Sequence, residues 1–240
     1  MMYDALSEVY DFFAYDFDYG LWTDKYEALI KAQNPSAREI CDCGCGTGSI
    51  AVQLSKRGYK VTGVDLSSEM LARAGEKARR EGVHIPFVRQ DMRLLTLPHP
   101  VDALFCACDG VNYLRQTRDA AAFFARAHEC LKPGGAFAFD ISSASKLRAM
   151  AETGLFAEDD EDKSYIWQNS LDKSGSVLTM NLSLFIKQQN GMYLKKCETH
   201  VQRVYSVKDI LPLLEQAGFE NVLTDGADSD ERVYFSARKA

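Results

Sequence analysis

The stretch Asp42-Cys43-Gly44-Cys45-Gly46-Thr47-Gly48 joins a short apolar run at residues 39–42 to a helical pattern that begins near Ser49. Glycines at such a turn allow the backbone to approach a ligand at the positive N-terminal end of the helix. The next apolar run ends at Asp65, 17 residues after Gly48. A carboxylate there can accept hydrogen bonds from both hydroxyls of a ribose. The two features together predict a nucleoside-binding turn.

The glycine spacing indicates which nucleoside is bound. Dinucleotide-binding turns favour G-x-G-x-x-G, whose last glycine allows a helix to pack closely beside a pyrophosphate. Here Ser49 occupies the third position, and the glycines instead follow the pattern G-x-G-x-G after an acidic residue. Because Asp42 can help to hold an ammonium group, the pattern favours S-adenosylmethionine and disfavours a nicotinamide oxidoreductase.

Between residues 37 and 140, short apolar β-like runs alternate with amphipathic helical patterns. This alternation is typical of a parallel sheet with helices on both faces, so the predicted fold class is α/β. Strands are predicted at residues 39–42, 60–65, 86–89, 103–108 and 136–140. Helices are predicted at residues 49–58, 68–81 and 118–131, the last of them stopped by Lys132-Pro133-Gly134-Gly135.

The second half of the chain has a different pattern. An acidic run at residues 158–162 predicts a solvated loop. Three β-like runs follow at residues 164–169, 177–187 and 193–205, and the turn signals between them predict a small antiparallel sheet. A helix at residues 206–217 and strands at residues 221–224 and 232–237 are predicted to close the chain.

These elements predict a single domain over residues 1–240, because this length suits one sizeable hydrophobic core. The predicted fold is a Rossmann-like, seven-stranded, mostly parallel sheet with a small antiparallel insertion and an N-terminal helical lid. The lid is assigned to residues 1–34 and the cofactor-binding core to residues 35–142. The insertion is assigned to residues 143–205, and the C-terminal helix and last two core strands to residues 206–240.

Charge and hydropathy restrict the partners. The formal net charge is −6, and no dense run of Lys and Arg offers a track for phosphates, so nucleic acid is a disfavoured partner. No stretch approaches the roughly 18 continuous apolar residues that cross a bilayer. Residues 1–13 are acidic and aromatic, whereas an export signal is basic and then apolar. We therefore expect a cytoplasmic protein that does not enter a membrane.

The seven cysteines are an odd number, and five of them fall in or beside predicted strands: Cys41, Cys43, Cys45, Cys106 and Cys108. This pattern favours small buried hydrophobic residues in a reducing compartment over a disulfide framework. The first three cysteines have no matching second pair and no nearby His, which a zinc site would need. No metal site is predicted.

Four stretches resemble the successive motifs of class I S-adenosylmethionine-dependent methyltransferases, and the resemblance covers about residues 1–140 with order and spacing intact. The first is Ile40-Cys41 followed by the glycine turn. The others are Gly63-Val64-Asp65-Leu66-Ser67-Ser68-Glu69-Met70-Leu71, Gln90-Asp91-Met92 and Leu131-Lys132-Pro133-Gly134-Gly135.

The resemblance implies a set of cofactor-binding residues. Gly44 and Gly46 would face the methionine part through their backbone, and Asp65 would bind the ribose. The adenine faces would lie against Leu66 and Met70, and the adenine edge against Asp91 and Met92. A carboxylate after the third strand can also accept from an exocyclic amine, although Asp91 has a second interpretation as a solvated loop acid. The set is completed by Asp42, Cys45, Cys108 and Asp109.

Two further stretches are similar to bacterial small-molecule methyltransferases, sugar N-methyltransferases among them. They are Tyr3-Asp4-x-Leu6-x-x-x-Tyr10-Asp11 with Asp18-Tyr19-x-x-Trp22, and Glu198-Thr199-His200-x-Gln202-Arg203-x-Tyr205. One departure concerns Cys108-Asp109-Gly110-Val111-Asn112-Tyr113-Leu114, which lacks the Asn-Pro-Pro-Tyr signature of enzymes that methylate nucleobase or amide nitrogens. Its absence argues against a DNA or amide substrate.

Methyl transfer from a sulfonium is an in-line displacement, so the protein must chiefly align the reacting atoms and exclude water. Where the acceptor must lose a proton, the candidate recipients are His200, Asp109, Tyr10 and Tyr19. Tyr10 is assigned to the sulfonium side, where an aromatic face tolerates a cation. His200 is the candidate base, with structural hydrogen bonding on its strand as the alternative.

The predicted acceptor is a small molecule, methylated at nitrogen or oxygen in a pocket formed by residues 3–25 and the 164–205 hairpins. Two alternatives stay open. A methyltransferase of RNA, for example of a modified tRNA base, would need a basic surface stripe. A non-catalytic module that binds the cofactor would need no open acceptor pocket. The sequence also leaves a homodimer open.

Overall fold

The computed structural model describes residues 18–240, which form two β-sheets and the helices around them. The α-helices are α1 (Tyr19–Gln33), α2 (Ser49–Lys56), α3 (Ser68–Arg80), α4 (Thr117–Cys130), α5 (Ala144–Thr153) and α6 (Val207–Gln216). The strands of the first sheet are β1 (Glu39–Cys43), β2 (Lys60–Asp65), β3 (Phe87–Arg89), β4 (Val101–Cys106), β5 (Leu131–Ser142), β10 (Phe219–Asp225) and β11 (Arg232–Lys239). The second sheet contains β6 (Leu155–Asp159), β7 (Lys163–Leu171), β8 (Val177–Lys187) and β9 (Tyr193–Arg203).

The first sheet has the strand order β10-β11-β5-β4-β1-β2-β3. Strands β1 to β5 pair with one another in parallel, whereas β11 is antiparallel to both β5 and β10. The predicted Rossmann-like, seven-stranded and mostly parallel sheet is confirmed. The strand order reverses between β1 and β4, and ligands of such sheets bind outside the carboxyl ends of the strands at this point.

Helices cover both faces of this sheet, and β5 shows how its side chains divide between them. Phe137 and Phe139 point to one face, where they pack against Phe124 of α4. The alternating residues Ala136 and Ala138 belong to the core of the other face, which α1 and α2 cover. Small residues there leave room for the large apolar side chains of those helices.

The second sheet is antiparallel throughout, and one of its faces is buried. Opposed residues on this inner face form rows that cross three strands, such as Asn169 of β7, Met180 of β8 and His200 of β9. Helix α5 packs on the same face through Ala144 and Leu147. The inner face therefore combines apolar packing with several polar side chains.

Two elements of this region were not predicted. Helix α5 buries only two of its ten residues, so its apolar periodicity is weak. Strand β6 is exposed along its whole length and is held by pairing with β7, so alternation could not mark it. The solvated loop predicted at residues 158–162 is therefore wrong in part, because Glu158 and Asp159 belong to β6.

The helix predicted at residues 118–131 ends at Cys130, just before the predicted stop, but the strand predicted at residues 136–140 begins earlier than expected. Strand β5 already begins at Leu131, and its register against β4 shifts between Val101 and Ala103. A bulge of this kind absorbs residues that a regular ladder would exclude. Within the described range, no helix is both long and apolar enough to cross a membrane.

Candidate active site

The glycine turn between β1 and α2 contains three left-handed residues. Gly44, Gly46 and Gly48 have φ angles of 80°, 53° and 74°, which residues with a Cβ rarely adopt. A Cβ on Gly48 would lie 2.9 Å from the Cβ of Ala74, so this glycine allows α2 and α3 to pack closely. A Cβ on Gly46 would meet no described atom within 4 Å. The turn is therefore open to a ligand at Gly46.

Asp65 lies at the tip of β2 and is held by backbone groups. Its Oδ2 accepts from the N–H of Gly46 at 2.8 Å, and its Oδ1 accepts from the N–H of Ser67 at 2.9 Å. Burial raises the pKa of Asp65, and these backbone hydrogen bonds oppose that rise. Because each carboxylate oxygen has two lone pairs, both can still accept a hydroxyl. These acceptor oxygens fit the predicted contact with the hydroxyls of a ribose.

Asp42 precedes the turn and is only 2% exposed. Its carboxyl group accepts from the N–H of Ala51 in the first turn of α2. Burial raises the pKa of Asp42 well above its usual value, the charge of Asp65 adds to the rise, and the Ala51 hydrogen bond opposes it. A cation beside Asp42 would favour its charged form. The predicted role in holding an ammonium group stays a prediction.

A crevice of about 360 Å³, which includes space open to solvent, lies beside the turn. Its lining includes Tyr19, Asp42, Gly44, Cys45, Gly46, Ala107 and Cys108. Asp42 is the one acidic or basic side chain among the described residues that line it. A lining of this kind suits a ligand that carries positive charge, as a sulfonium does.

Met92 reaches the glycine turn, whereas Asp91 is engaged elsewhere. The Cε of Met92 lies 3.7 Å from the position that a Cβ on Gly44 would take. Both oxygens of Asp91 accept from Arg93, with Nε 3.0 Å from each, and this ion pair lowers the pKa of Asp91. Sequence reasoning missed Arg93, two residues after the carboxylate. The predicted contact of Asp91 with the adenine edge stays a prediction.

The residues predicted for the adenine faces differ in exposure. Leu66 is 54% exposed and offers apolar surface just beyond Asp65, whereas Met70 is 2% exposed in the first turn of α3. Cys45 lines the crevice, and its Sγ would lie 3.0 Å from a Cβ on Gly63. Among residues 18–240, no group of three or more His, Cys, Asp or Glu side chains is placed to hold a metal ion.

Cys108 and Asp109 follow β4 on the other side of the crevice. Both have positive φ angles, 58° and 52°, which are uncommon for residues with a side chain. The N–H of Asp109 donates to Oδ2 of Asp140 at 2.9 Å. The carboxylate of Asp109 accepts from Arg232 at 3.0 Å and from Nε2 of Gln202 at 2.5 Å. Asp109 thus connects the main sheet with β9. The positive φ angles of Cys108 and Asp109 mean that the turn beside the crevice is strained.

Asp140 and Arg232 are functional candidates that sequence reasoning missed. Asp140 is fully buried at the carboxyl end of β5 and accepts from the hydroxyl of Tyr26 and from Arg232. Burial raises the pKa of Asp140, and the charge of Arg232 opposes that rise. The guanidinium carbon of Arg232 lies 4.8 Å from the centre of the Trp22 ring. The signal was a lone carboxylate ending an apolar strand, but its partners are about 90 and 110 residues away.

His200 is 2% exposed and uses both ring nitrogens. Its Nε2 lies 3.0 Å from Oε2 of Glu198, and its Nδ1 lies 3.3 Å from the hydroxyl of Tyr113. Sequence reasoning did not assign a role to either partner. Tyr10, the other residue predicted to be catalytic, lies outside the described residues, as do residues 1–17 of the predicted lid, whereas Tyr19 lines the crevice.

Comparison with known proteins agrees with this geometry. A family model described as a methyltransferase domain matches residues 40–135. YqeM of Bacillus subtilis (strain 168), assigned as a methyltransferase, is 35% identical over 249 residues, which cover 100% of this chain and 98% of YqeM. The crystal structure of an S-adenosylmethionine-dependent methyltransferase from Clostridium acetobutylicum ATCC 824 is 28% identical, with a TM-score of 0.87 over 99% of both chains.

A more distant relative has a named substrate. The dTDP-3-amino-3,4,6-trideoxy-alpha-D-glucopyranose N,N-dimethyltransferase of Streptomyces venezuelae is 29% identical over 131 residues. The match covers 54% of this chain and 54% of that protein. Its similarity thus concerns about half of each molecule.

Proposed function

This chain belongs to the family of S-adenosylmethionine-dependent methyltransferases, and we propose that it transfers a methyl group to a nitrogen or oxygen atom of a small-molecule acceptor. The observation that carries the proposal is the arrangement of residues at and beside the crevice. An open glycine turn, the buried Asp42 and the ribose-type acceptor Asp65 meet at the switch point of the sheet.

The cofactor, when bound, supplies an electrophilic methyl group on a sulfonium. Asp65 would hold its sugar, and the backbone of Gly44 and Gly46 would hold its amino-acid part. The inner face of the second sheet and the turn at Asp109 border the acceptor side. Holding the reactants in line and excluding water accounts for most of the rate enhancement that such a site can supply.

Among small molecules we favour an amine on a sugar-like acceptor. The named substrate of the Streptomyces venezuelae relative supports this choice.

Cofactor binding is tested by titrating S-adenosylhomocysteine calorimetrically into the wild type and Asp65→Ala. We expect an affinity loss of about 100-fold, since two hydrogen bonds to a carboxylate are removed. Asp172→Ala is the matched control, because Asp172 also accepts two backbone N–H groups but lies in an exposed turn of the second sheet. Equal affinity of D65A and wild type would contradict the proposed crevice.

Acceptor class is tested with S-adenosylmethionine labelled in its methyl group and a bacterial extract separated into RNA and metabolite fractions. We expect label in the metabolite fraction only, and mass spectrometry then identifies the product. Label confined to RNA would favour the RNA methyltransferase alternative. Cofactor binding without label in either fraction would favour a non-catalytic module.

A further inference from the structure

A hydrogen-bonded chain of three side chains joins the second sheet to the loop after β4. Glu198 and His200 are two residues apart on β9 and therefore share its inner face, and Tyr113 contacts His200 from the segment that follows β4. One tautomer satisfies both contacts of the imidazole: Nε2–H donates to the Glu198 carboxylate, and Nδ1 accepts from the Tyr113 hydroxyl. The chain is thus ordered from a carboxylate to a phenol.

His200 cannot meet an acceptor directly in this arrangement. Its side chain is 2% exposed, and the two nitrogens that carry its chemistry already face Glu198 and Tyr113. Tyr113 is half-buried, whereas Glu198 and His200 are buried, so Tyr113 is the most exposed member of the chain. A proton that reaches His200 from the site would therefore have to pass through the Tyr113 hydroxyl.

The position of Tyr113 is held by its neighbours. It ends the 3-10 helix Gly110–Tyr113, which begins two residues after the crevice residue Cys108. Asn112, which is fully buried, accepts from the N–H of Ser142 at 3.0 Å and donates to the carbonyl of Arg203 at 3.0 Å. These bonds clamp the helix between β5 and β9. The backbone that carries Tyr113 is therefore held between two sheets, close in sequence to the crevice residue Cys108.

We infer that Tyr113 takes the proton of the methyl acceptor and passes its own to His200, with Glu198 as the positioning residue; this inference rests on the proposed function. In the transfer step, the acceptor lone pair forms the new bond to the methyl carbon, the C–S bond breaks, and its electron pair stays on sulfur. The acceptor proton moves to Oη of Tyr113 while the phenol proton moves to Nδ1 of His200. Glu198 stabilises the resulting imidazolium.

The test compares label transfer to the metabolite fraction by the wild type, Tyr113→Phe, His200→Gln and the double variant. Each is measured over a dilution series of the fraction, which separates the saturating rate from the dilution that gives half of it. We expect Y113F to lower the saturating rate about 100-fold, within the range of general base catalysis. The half-saturating dilution and the affinity for S-adenosylhomocysteine should stay within about two-fold.

The double variant should be no slower than the slower single variant, because residues of one relay are not additive. Tyr193→Phe is the matched control, because it removes a tyrosine hydroxyl that donates to the Glu161 carbonyl in the second sheet region, away from His200. The rate of this variant should equal that of the wild type. A normal rate in Y113F, or a loss that follows a fall in acceptor or cofactor affinity, would overturn the relay alone. A wild type that labels nothing would overturn the proposed function and the relay together.

Discussion

Two carboxylates next to residues that line the crevice are held in different ways. Asp65 accepts from the backbone N–H groups of Gly46 and Ser67, which belong to the motifs that surround it. Asp109 accepts from the side chains of Arg232 and Gln202, which lie more than 90 residues further along the chain. The contacts of a carboxylate that is held by nearby backbone can be identified from a sequence motif. The contacts of one that is held by distant side chains depend on strand register, which a motif does not describe.

The same difference predicts different roles in stability. Removing Asp65 leaves neutral N–H groups at the edge of a crevice that water can enter. Removing Arg232 leaves Asp109 and the fully buried Asp140 without their cation, and burial of an unpaired charge is strongly unfavourable. Asp65 should therefore matter mainly for ligand affinity, and the cluster around Arg232 mainly for the fold.

The largest effect is expected for Arg232→Met, which tests this division directly. We expect the free energy of unfolding to fall by about 3–5 kcal/mol, the usual result of removing one partner of a buried ion pair. Urea unfolding of the variant and the wild type measures the change. Arg38→Met, at an exposed position before β1, is the control and should change stability by less than about 0.5 kcal/mol. An R232M protein as stable as the wild type would show that the cluster does not support the fold.

The main sheet could be predicted from the sequence because each of its signals is local. Apolar runs that end in Asp42 and Asp65, with glycines between them, define the first strands and their turn. A mostly parallel sheet with helices on both faces follows from general rules for alternating strands and helices, and both features are confirmed.

The second sheet and its contacts were predicted less completely. Strand β6 has no buried side chain, so nothing in its residue pattern distinguishes it from a loop. The cluster of Asp140, Arg232 and Tyr26 brings together residues from β5, β11 and α1, and no spacing rule connects them. His200 was identified as a candidate base from its own sequence motif. Its contact with Tyr113 was not predicted, because the two residues are 87 positions apart and no spacing rule connects them.

A smaller effect is expected at Glu27 of helix α1. Side-chain contacts attach this helix to the rest of the protein at a point far from any sequence motif. Its carboxylate accepts from Lys31, Arg57 and Tyr59. Burial acts to raise the pKa of Glu27, but these hydrogen bonds outweigh it and lower the pKa from 4.5 to about 2. A lowered pKa stabilises the fold above pH 4.5, and this contribution is lost as the pH falls towards 2.

Glu27→Gln should therefore be less stable than the wild type by about 2 kcal/mol at pH 7, after allowance for solvent screening of the partly exposed partners. The difference should shrink as the pH falls from 4.5 to 2. Urea unfolding of both proteins at several pH values measures it. A difference that does not change with pH would mean that the charge of Glu27 is not what attaches α1.

The smallest effect, and one of opposite sign, is expected at Asn169 on the inner face of the second sheet. Its side chain is 7% exposed, and neither its amide nitrogen nor its amide oxygen has a hydrogen-bond partner among the described residues. Its direct neighbour across the strands is the apolar Met180. Asn169→Leu removes two unsatisfied polar atoms and should raise the free energy of unfolding by about 1 kcal/mol. The backbone bond from Asn169 to the Gly154 carbonyl is unaffected.

Gln168→Leu is the matched control, because Gln168 is on the exposed face of the same strand and should give a change below about 0.5 kcal/mol. Urea midpoints at constant m-value measure both variants. A destabilised N169L would contradict this prediction and would indicate that the amide of Asn169 makes hydrogen bonds to water. A stabilised N169L with slower label transfer would mean that the amide of Asn169 is used for binding. In that case a residue of the second sheet would contribute to function at a cost in stability.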